Sequence, residues 1–364
     1  MKKNIINIIK LICFFSITIL LTMKLGIIFT PKGWYDEYQG QIYTIKGIKE
    51  IPKNQIDILF LGNSSIQKSV SPMQIYEQTG IASYNYSVSS ARIYMDYYFL
   101  QNILNYQKPK VVFVDTPTFF YDTKEVEPEQ RKSFDFENLN LIKLKMINDN
   151  IFETTFEEKA SYVFPIFRYH SRWNEVKIKD FNTSQKFYSV TKGFVSSSKL
   201  KANKNGYKYM QPNDKKIDMQ KDVKEYFYKF IDLCKNNNIE VIFLGIPDTR
   251  AWNYESSIKM QELAKETNTI FLDLNDEKKY PINWEKDTED GGMHMNALGA
   301  ITITNYIIDY LKDNYSFPDH RNDKLYSKWN EDLKIYQKQT NKAIKEIEKS
   351  IKKINDGEVW KHTF

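Results

Sequence analysis

Ile56-Asp57-Ile58-Leu59-Phe60-Leu61-Gly62-Asn63-Ser64-Ser65 runs apolar almost without interruption, stops at a glycine and opens into a small polar turn. A run with so little polar alternation is what a strand buried on both faces of a parallel sheet looks like. Further strand-like stretches follow at residues 82–86, 110–115, 240–245 and 269–273. Helical patterns lie between and after them at residues 72–79, 92–106, 219–236, 255–267 and 297–312. Strands alternating with helices imply crossover connections and a parallel sheet. The expected fold is therefore a three-layer α/β/α sandwich on a five-stranded parallel sheet. The alternation breaks between about residues 119 and 219, where the chain is aromatic, polar and irregular, with helix-like pieces near 138–151 and 156–162. That stretch reads as an insertion covering the carboxyl end of the sheet.

Four regions follow along the 364 residues. Residues 1–30 form an apolar anchor: no charge falls between Leu11 and Met23, and Leu25–Phe29 extends the run. Roughly 20 apolar residues span a bilayer, and Lys10 or Lys24 at the margins would snorkel. Lys2, Lys3 and Lys10 precede the run, so the positive-inside rule places the N-terminus in the cytoplasm and the rest outside the cell. No small-x-small site follows, which favours a retained anchor over a cleaved signal. Residues 31–54 read as a polar membrane-proximal connector, and residues 55–320 as the α/β/α domain with its insertion. Residues 321–364 are rich in lysine and glutamate, with apolar residues from Leu333 to Ile354 at helical spacing. They read as an amphipathic helix lying on the domain, with docking to a membrane or protein partner as the rival.

The net charge of +6 is only mildly basic and carries no nucleic-acid signature. Of the two cysteines, Cys13 lies in the anchor and Cys234 in the domain, so a disulfide between them is not expected. With four histidines, no H-x-x-x-H spacing and no Cys/His cluster, neither a metal site nor a cofactor is expected.

In open α/β sheets, ligands bind beyond the carboxyl ends of the strands. Ser64 follows strand one, Ser87 and Ser90 follow strand two, Thr116 and Thr118 follow strand three, and Asp248 follows strand four. Asp290 and His294 precede the last helix, so all belong on one rim. Serine is a weak nucleophile that needs a base within hydrogen-bond reach. His294 supplies the base, and an acid on its other nitrogen would hold the tautomer. Asp290 is the nearest acid, with Glu289 and Asp287 as alternatives. Backbone N–H groups of Ser64 and of Ser87 or Ser90 are placed to bind an oxyanion. Asn296 reads as a helix N-cap, Asp248 and Arg250 as rim residues or a loop salt bridge, and His170 as a packing or surface residue. Arg168 and Arg172 beside it would suit a phosphate-bearing polymer.

These blocks carry a resemblance. Gly62-Asn63-Ser64-Ser65 resembles the GDSL-type first block of the Ser-Gly-Asn-His (SGNH) hydrolase superfamily. Asn85-Tyr86-Ser87-Val88-Ser89-Ser90 is similar to its second block, N-x-G-x-x-G, with serines at the glycine positions. Asp290…His294-Met295-Asn296-Ala297-Leu298-Gly299-Ala300 resembles its last block, D-x-x-H before an N-x-x-G-A helix start, with one extra residue between acid and base. Asp115-Thr116-Pro117-Thr118 stands where the third block has G-x-N-D. The anchor and the Thr116-Pro117-Thr118-Phe119-Phe120 turn are more similar to the membrane-anchored, DltD-like branch. The resemblance implies O-acyl transfer or ester cleavage on a cell-envelope glycopolymer, teichoic acid or exopolysaccharide. It also implies an acylated carrier and a membrane-bound O-acyltransferase as partners. The alternative is a non-catalytic envelope scaffold that keeps the fold and binds such partners. A retained anchor predicts that the mature chain stays in the membrane fraction through an alkaline wash. A chain trimmed of residues 2–29 and recovered in the supernatant would mark a cleaved signal instead.

Overall fold

The computed structural model describes residues 2–32, 40–121, 127–149, 151, 155–213 and 216–355. The chain enters through α1, Lys2–Phe29, whose 28 residues extend for about 40 Å, longer than the hydrocarbon layer of roughly 30 Å. Its isoleucines, leucines and phenylalanines are exposed around the whole circumference from Ile5 to Leu21. Among the described residues it is the one helix long and apolar enough to cross a membrane.

The expected connector behaves differently where it is described. α2, Gln41–Gly47, and the 3₁₀ turn Ile48–Glu50 bring Ile42, Ile45, Ile48 and Ile51 into the main core. The Tyr84 hydroxyl clamps the segment by donating to the Thr44 carbonyl at 2.8 Å. Four isoleucines at a spacing of three make a one-sided apolar stripe, too short to stand out between polar neighbours. Residues 33–39 of the connector lie outside the described residues.

The sheet is built as expected. β1 is Ile58–Leu61; α3, Ser64–Ser69, and α4, Pro72–Thr79, lead to β2, Ser83–Asn85. α5, Ile93–Ile103, leads to β3, Val111–Asp115. The insertion follows, with α6 (Glu127–Phe134), α7 (Leu141–Ile147), α8 (Phe156–Val163) and α9 (Ile166–Tyr169). α10, Lys221–Asn236, β4, Glu240–Gly245, α11, Tyr254–Thr267, and β5, Ile270–Asp273, restore the alternation. α12, Ala297–Asn314, and α13, Ser327–Asn355, complete the chain.

All strands are parallel in the order β2-β1-β3-β4-β5, with Ile58 opposite both Ser83 and Val111. Alternate residues serve opposite layers. Leu59, Leu61, Val112, Val114 and Phe243 pack under α5 and α10. Ile58, Phe60, Phe113, Ile242 and Leu244 pack against Ile66 of α3 and Ile303, Ile307 and Leu311 of α12. Burial on both faces is why the strands read as continuous apolar runs.

The insertion does more than cover. Its residues 192–203 run across the carboxyl edge as a strap. Lys192 accepts from Asn85 N, Val195 donates to the Gln67 carbonyl, and Lys201 and Asn203 donate to Thr288 and Trp284. α13 lies on the domain with Trp329, Tyr336 and Ile347 buried. It is locked there by an ion pair between Lys192 and Asp332, both fully buried. Removing one partner leaves an unpaired buried charge, a loss of about 3–5 kcal/mol. Lys192→Met and Asp332→Leu should each lower the thermal midpoint of the full chain sharply. The double variant should recover most of it, as read by a melting series in detergent.

Candidate active site

Ser64 owes its position to how β1 ends. Gly62 adopts φ +140°, and a Cβ there would lie 2.3 Å from Cβ of Asp115, so only glycine lets the chain leave β1 against the end of β3. Asn63 then caps α3, its side-chain oxygen accepting the Ser65 N–H at 2.7 Å. Ser64 becomes the first residue of α3, half-buried at the carboxyl edge. The strand order 2-1-3 reverses direction between β1 and β3, the switch point where such sheets bind ligands.

His294 arrives from residues 288–295, a tight loop closed by an antiparallel bridge between Thr288 and Met295. Gly291 and Gly292 turn it at φ +89° and +120°, and this double turn folds the Asp290 carboxylate back beneath His294. One oxygen of Asp290 accepts the Met293 and His294 backbone N–H groups at 3.0 and 3.1 Å. The other lies 2.7 Å from His294 Nδ1, and His294 Nε2 lies 2.8 Å from Ser64 Oγ. With Asp290 accepting the Nδ1 proton, Nε2 faces the serine hydroxyl as an acceptor. Burial disfavours charge on Asp290, yet the hydrogen bonds from the His294 ring, its backbone and Met293 outweigh it and hold the carboxyl below its ordinary value.

The extra residue between Asp290 and His294 is thus absorbed in the glycine turn. The alternative acids sit elsewhere: Glu289 pairs with Lys68, and Asp287 accepts the Asn283 N–H at 3.0 Å. Glu289, Asp290 and His294 place three potential metal-ligand atoms within 4.8 Å of one another. Glu289 Oε1 pairs with Lys68 and His294 lies between Ser64 and Asp290, while Glu289 Oε2 is buried without a hydrogen-bond partner. Asn296 caps α12, accepting the N–H groups of Leu298 and Gly299.

The expected oxyanion donors are less well assembled. Ser87 turns its N–H to Asn85 Oδ1 at 3.2 Å, because the asparagine side chain closes that turn on itself. Thr116 is fully buried and its hydroxyl donates to the Leu244 carbonyl at 3.3 Å. Both groups are thus committed to internal acceptors. Ser90 takes φ +54°, so this serine accepts the left-handed backbone that glycine would supply. Asp248 is no partner for the Arg250 guanidinium. It accepts the Arg250 and Ala251 N–H groups and the Ser65 hydroxyl at 3.1 Å. His170 is an exposed residue of the insertion.

One residue was not read as a site group. Tyr121 lies 3.5 Å from Asn63 Nδ2, and the Arg92 guanidinium sits over its ring at 4.6 Å. Burial, reinforced by Asp115 and Asp248, raises its phenol, so it keeps its proton. Its place shortly after β3 was the available signal. Beneath it, burial and the nearby Asp248 push the fully buried Asp115 carboxyl well above its usual range. Behind α3, a cavity of about 540 Å³ runs from Thr30 and Pro31 at the end of α1 to Gln67 and Ser89, with Arg131 and Arg168 in its wall.

No family model matches the chain, and no curated protein matches it. Among solved structures, a Bacteroides fragilis protein described as a "putative acylhydrolase" is similar over 77% of this chain and 98% of its own. The identity is 11% and the TM-score 0.36, a likeness too loose to argue from.

The Asp290 carboxyl gives a pH test. Its folded value lies below the unfolded one, ordinarily near 3.9, so its contribution to stability is complete above that value and is lost as pH falls toward the folded one. Asp290→Asn should therefore lower the melting temperature at pH 7, and the gap to wild type should close on acidification. An equal gap at pH 7 and pH 2.5 would contradict the assignment.

Proposed function

We propose that this chain is a membrane-anchored serine enzyme of SGNH type, in the DltD-like manner, that transfers or cleaves O-acyl groups on a cell-envelope glycopolymer. The observation that carries the reading is the continuous relay from Ser64 Oγ through both nitrogens of His294 to Asp290, at 2.8 and 2.7 Å. Ser64 attacks the carbonyl carbon of an acyl ester while His294 Nε2 takes its proton. Asp290 steadies the imidazolium. His294 then protonates the leaving alcohol, and an acyl-Ser64 ester remains. In the second half His294 deprotonates the acceptor hydroxyl, which attacks that ester and frees Ser64. The acceptor is a polymer hydroxyl in transfer and water in hydrolysis. Transfer suits a site beside a membrane anchor and under an insertion that limits water. The Ser64 backbone N–H, at the start of α3, is the donor best placed for the oxyanion.

Lys2, Lys3 and Lys10, in the first part of α1, support an orientation with the N-terminus in the cytoplasm and the domain outside the cell. A membrane-bound O-acyltransferase is the partner this arrangement suits, with an acylated carrier or the polymer as substrate. One observation favours the rival scaffold reading: the Ser87 N–H and the Thr116 hydroxyl are both committed to internal acceptors.

A fluorophosphonate probe separates the two. The full-length protein should label at Ser64, Ser64→Ala and His294→Ala should abolish labelling, and Asp290→Asn should slow turnover by on the order of 10⁴. Absence of labelling, together with undiminished envelope acylation in Ser64→Ala cells, would establish the scaffold.

A further inference from the structure

Large exposed apolar side chains gather on one short stretch of the insertion. Phe167 is 57% exposed, Trp173 75%, Ile178 93% and Phe181 63%. They lie on α9 and on two 3₁₀ turns, His170–Asn174 and Ile178–Phe181. In a water-facing position four such residues would be a liability.

The same stretch is fastened to the end of α1. A Cβ at Gly26 would meet Pro165 Cδ at 3.0 Å, so glycine brings the helix backbone directly against the insertion. The Arg172 guanidinium donates to the Phe29 carbonyl. Lys32 donates to the Ile27 carbonyl at 2.8 Å and pairs with Asp180 at 3.1 Å, both side chains buried. The last carbonyls of α1 are thereby satisfied by groups that also tie down residues 165–181. These contacts lie at residues 26–32, where an α1 that crosses a bilayer emerges from it. Trp and other aromatic side chains favour that level. Basic residues, here Arg168, Arg172, Lys177 and Lys179 against Glu175 and Asp180, favour the phosphates there.

We propose that residues 165–181 form a collar seated in the headgroup layer of a lipid bilayer, with Trp173, Ile178 and Phe181 dipping toward the acyl chains. The collar adds a second membrane contact to α1 and so gives the domain a fixed seat. Arg168 and Tyr169 also line the cavity behind α3, so the seat sets the height of that cavity relative to the headgroups. The inference rests on lipid contact and not on what Ser64 does.

The test uses the full-length protein in phosphatidylglycerol nanodiscs containing a lipid with a shallow nitroxide quencher. An environment-sensitive fluorophore is placed on single cysteines, Trp173→Cys or Ile178→Cys, in a Cys13→Ser background; Cys234 is buried. The native Cys13 marks the anchor itself. Lys324→Cys marks the opposite, amino-terminal edge of the sheet, where Gln55 holds the Leu325 carbonyl. Labels at 173 and 178 should emit blue-shifted and be quenched severalfold more strongly than at 324. Labels at 173 and 178 as wet and as unquenched as at 324 would overturn the proposal, whatever Cys13 reports.

Discussion

The close approach of β1 and β3 at their carboxyl ends is the constraint on which the rest depends. Gly62 passes so near Asp115 that a side chain there would drive the two strands apart. That contact sets where the chain turns, and Asn63 immediately caps the turn into α3. Ser64 follows as its first residue, so its position is inherited from backbone geometry and not from its own contacts. The buried Asp115 tolerates this crowding because burial raises its carboxyl above the usual range, sparing the core an isolated charge.

The second half of the site is held by a different device. His294 sits in a loop only eight residues long, stabilised by its own bridge and by Asp290. Relative to Ser64, that loop is held by the strap. Residues 192–203 bond to β2, to α3, to the loop and to Trp284 before it, and Ala297 N returns a bond to Ser197. Lys192 at the head of the strap is in turn pinned by Asp332 of α13. A chain of contacts thus runs from the C-terminal helix to the two elements that carry Ser64 and His294.

The junction with α1 follows the same logic. α2 and the turn after it are packed into the core through their isoleucines, and the insertion grips the end of α1. α1 and the domain are joined by buried contacts such as the Lys32–Asp180 pair, so the domain is not a bead on a string.

Much of this was readable in one dimension. Both faces of the sheet are buried, so the strands appear as apolar runs, and Asn296 announces a helix start by chemistry that acts over three residues. Chain order alone then puts Ser64, Asp290 and His294 on one rim. Other features were out of reach. The α2 isoleucines look like connector residues until a core is there to receive them. The Ser87 N–H could face a ligand or Asn85, and that choice depends on which acceptor the fold brings nearer. Tyr121 has meaning only beside Asn63 and Arg92. Ser64 and His294 are separated by 230 positions. Sequence determined the local segments because propensity and capping act between neighbours. Only the tertiary structure decided which remote polar groups meet, because Ser64, Ser65 and Lys192 find His294, Asp248 and Asp332 on segments far away in the chain.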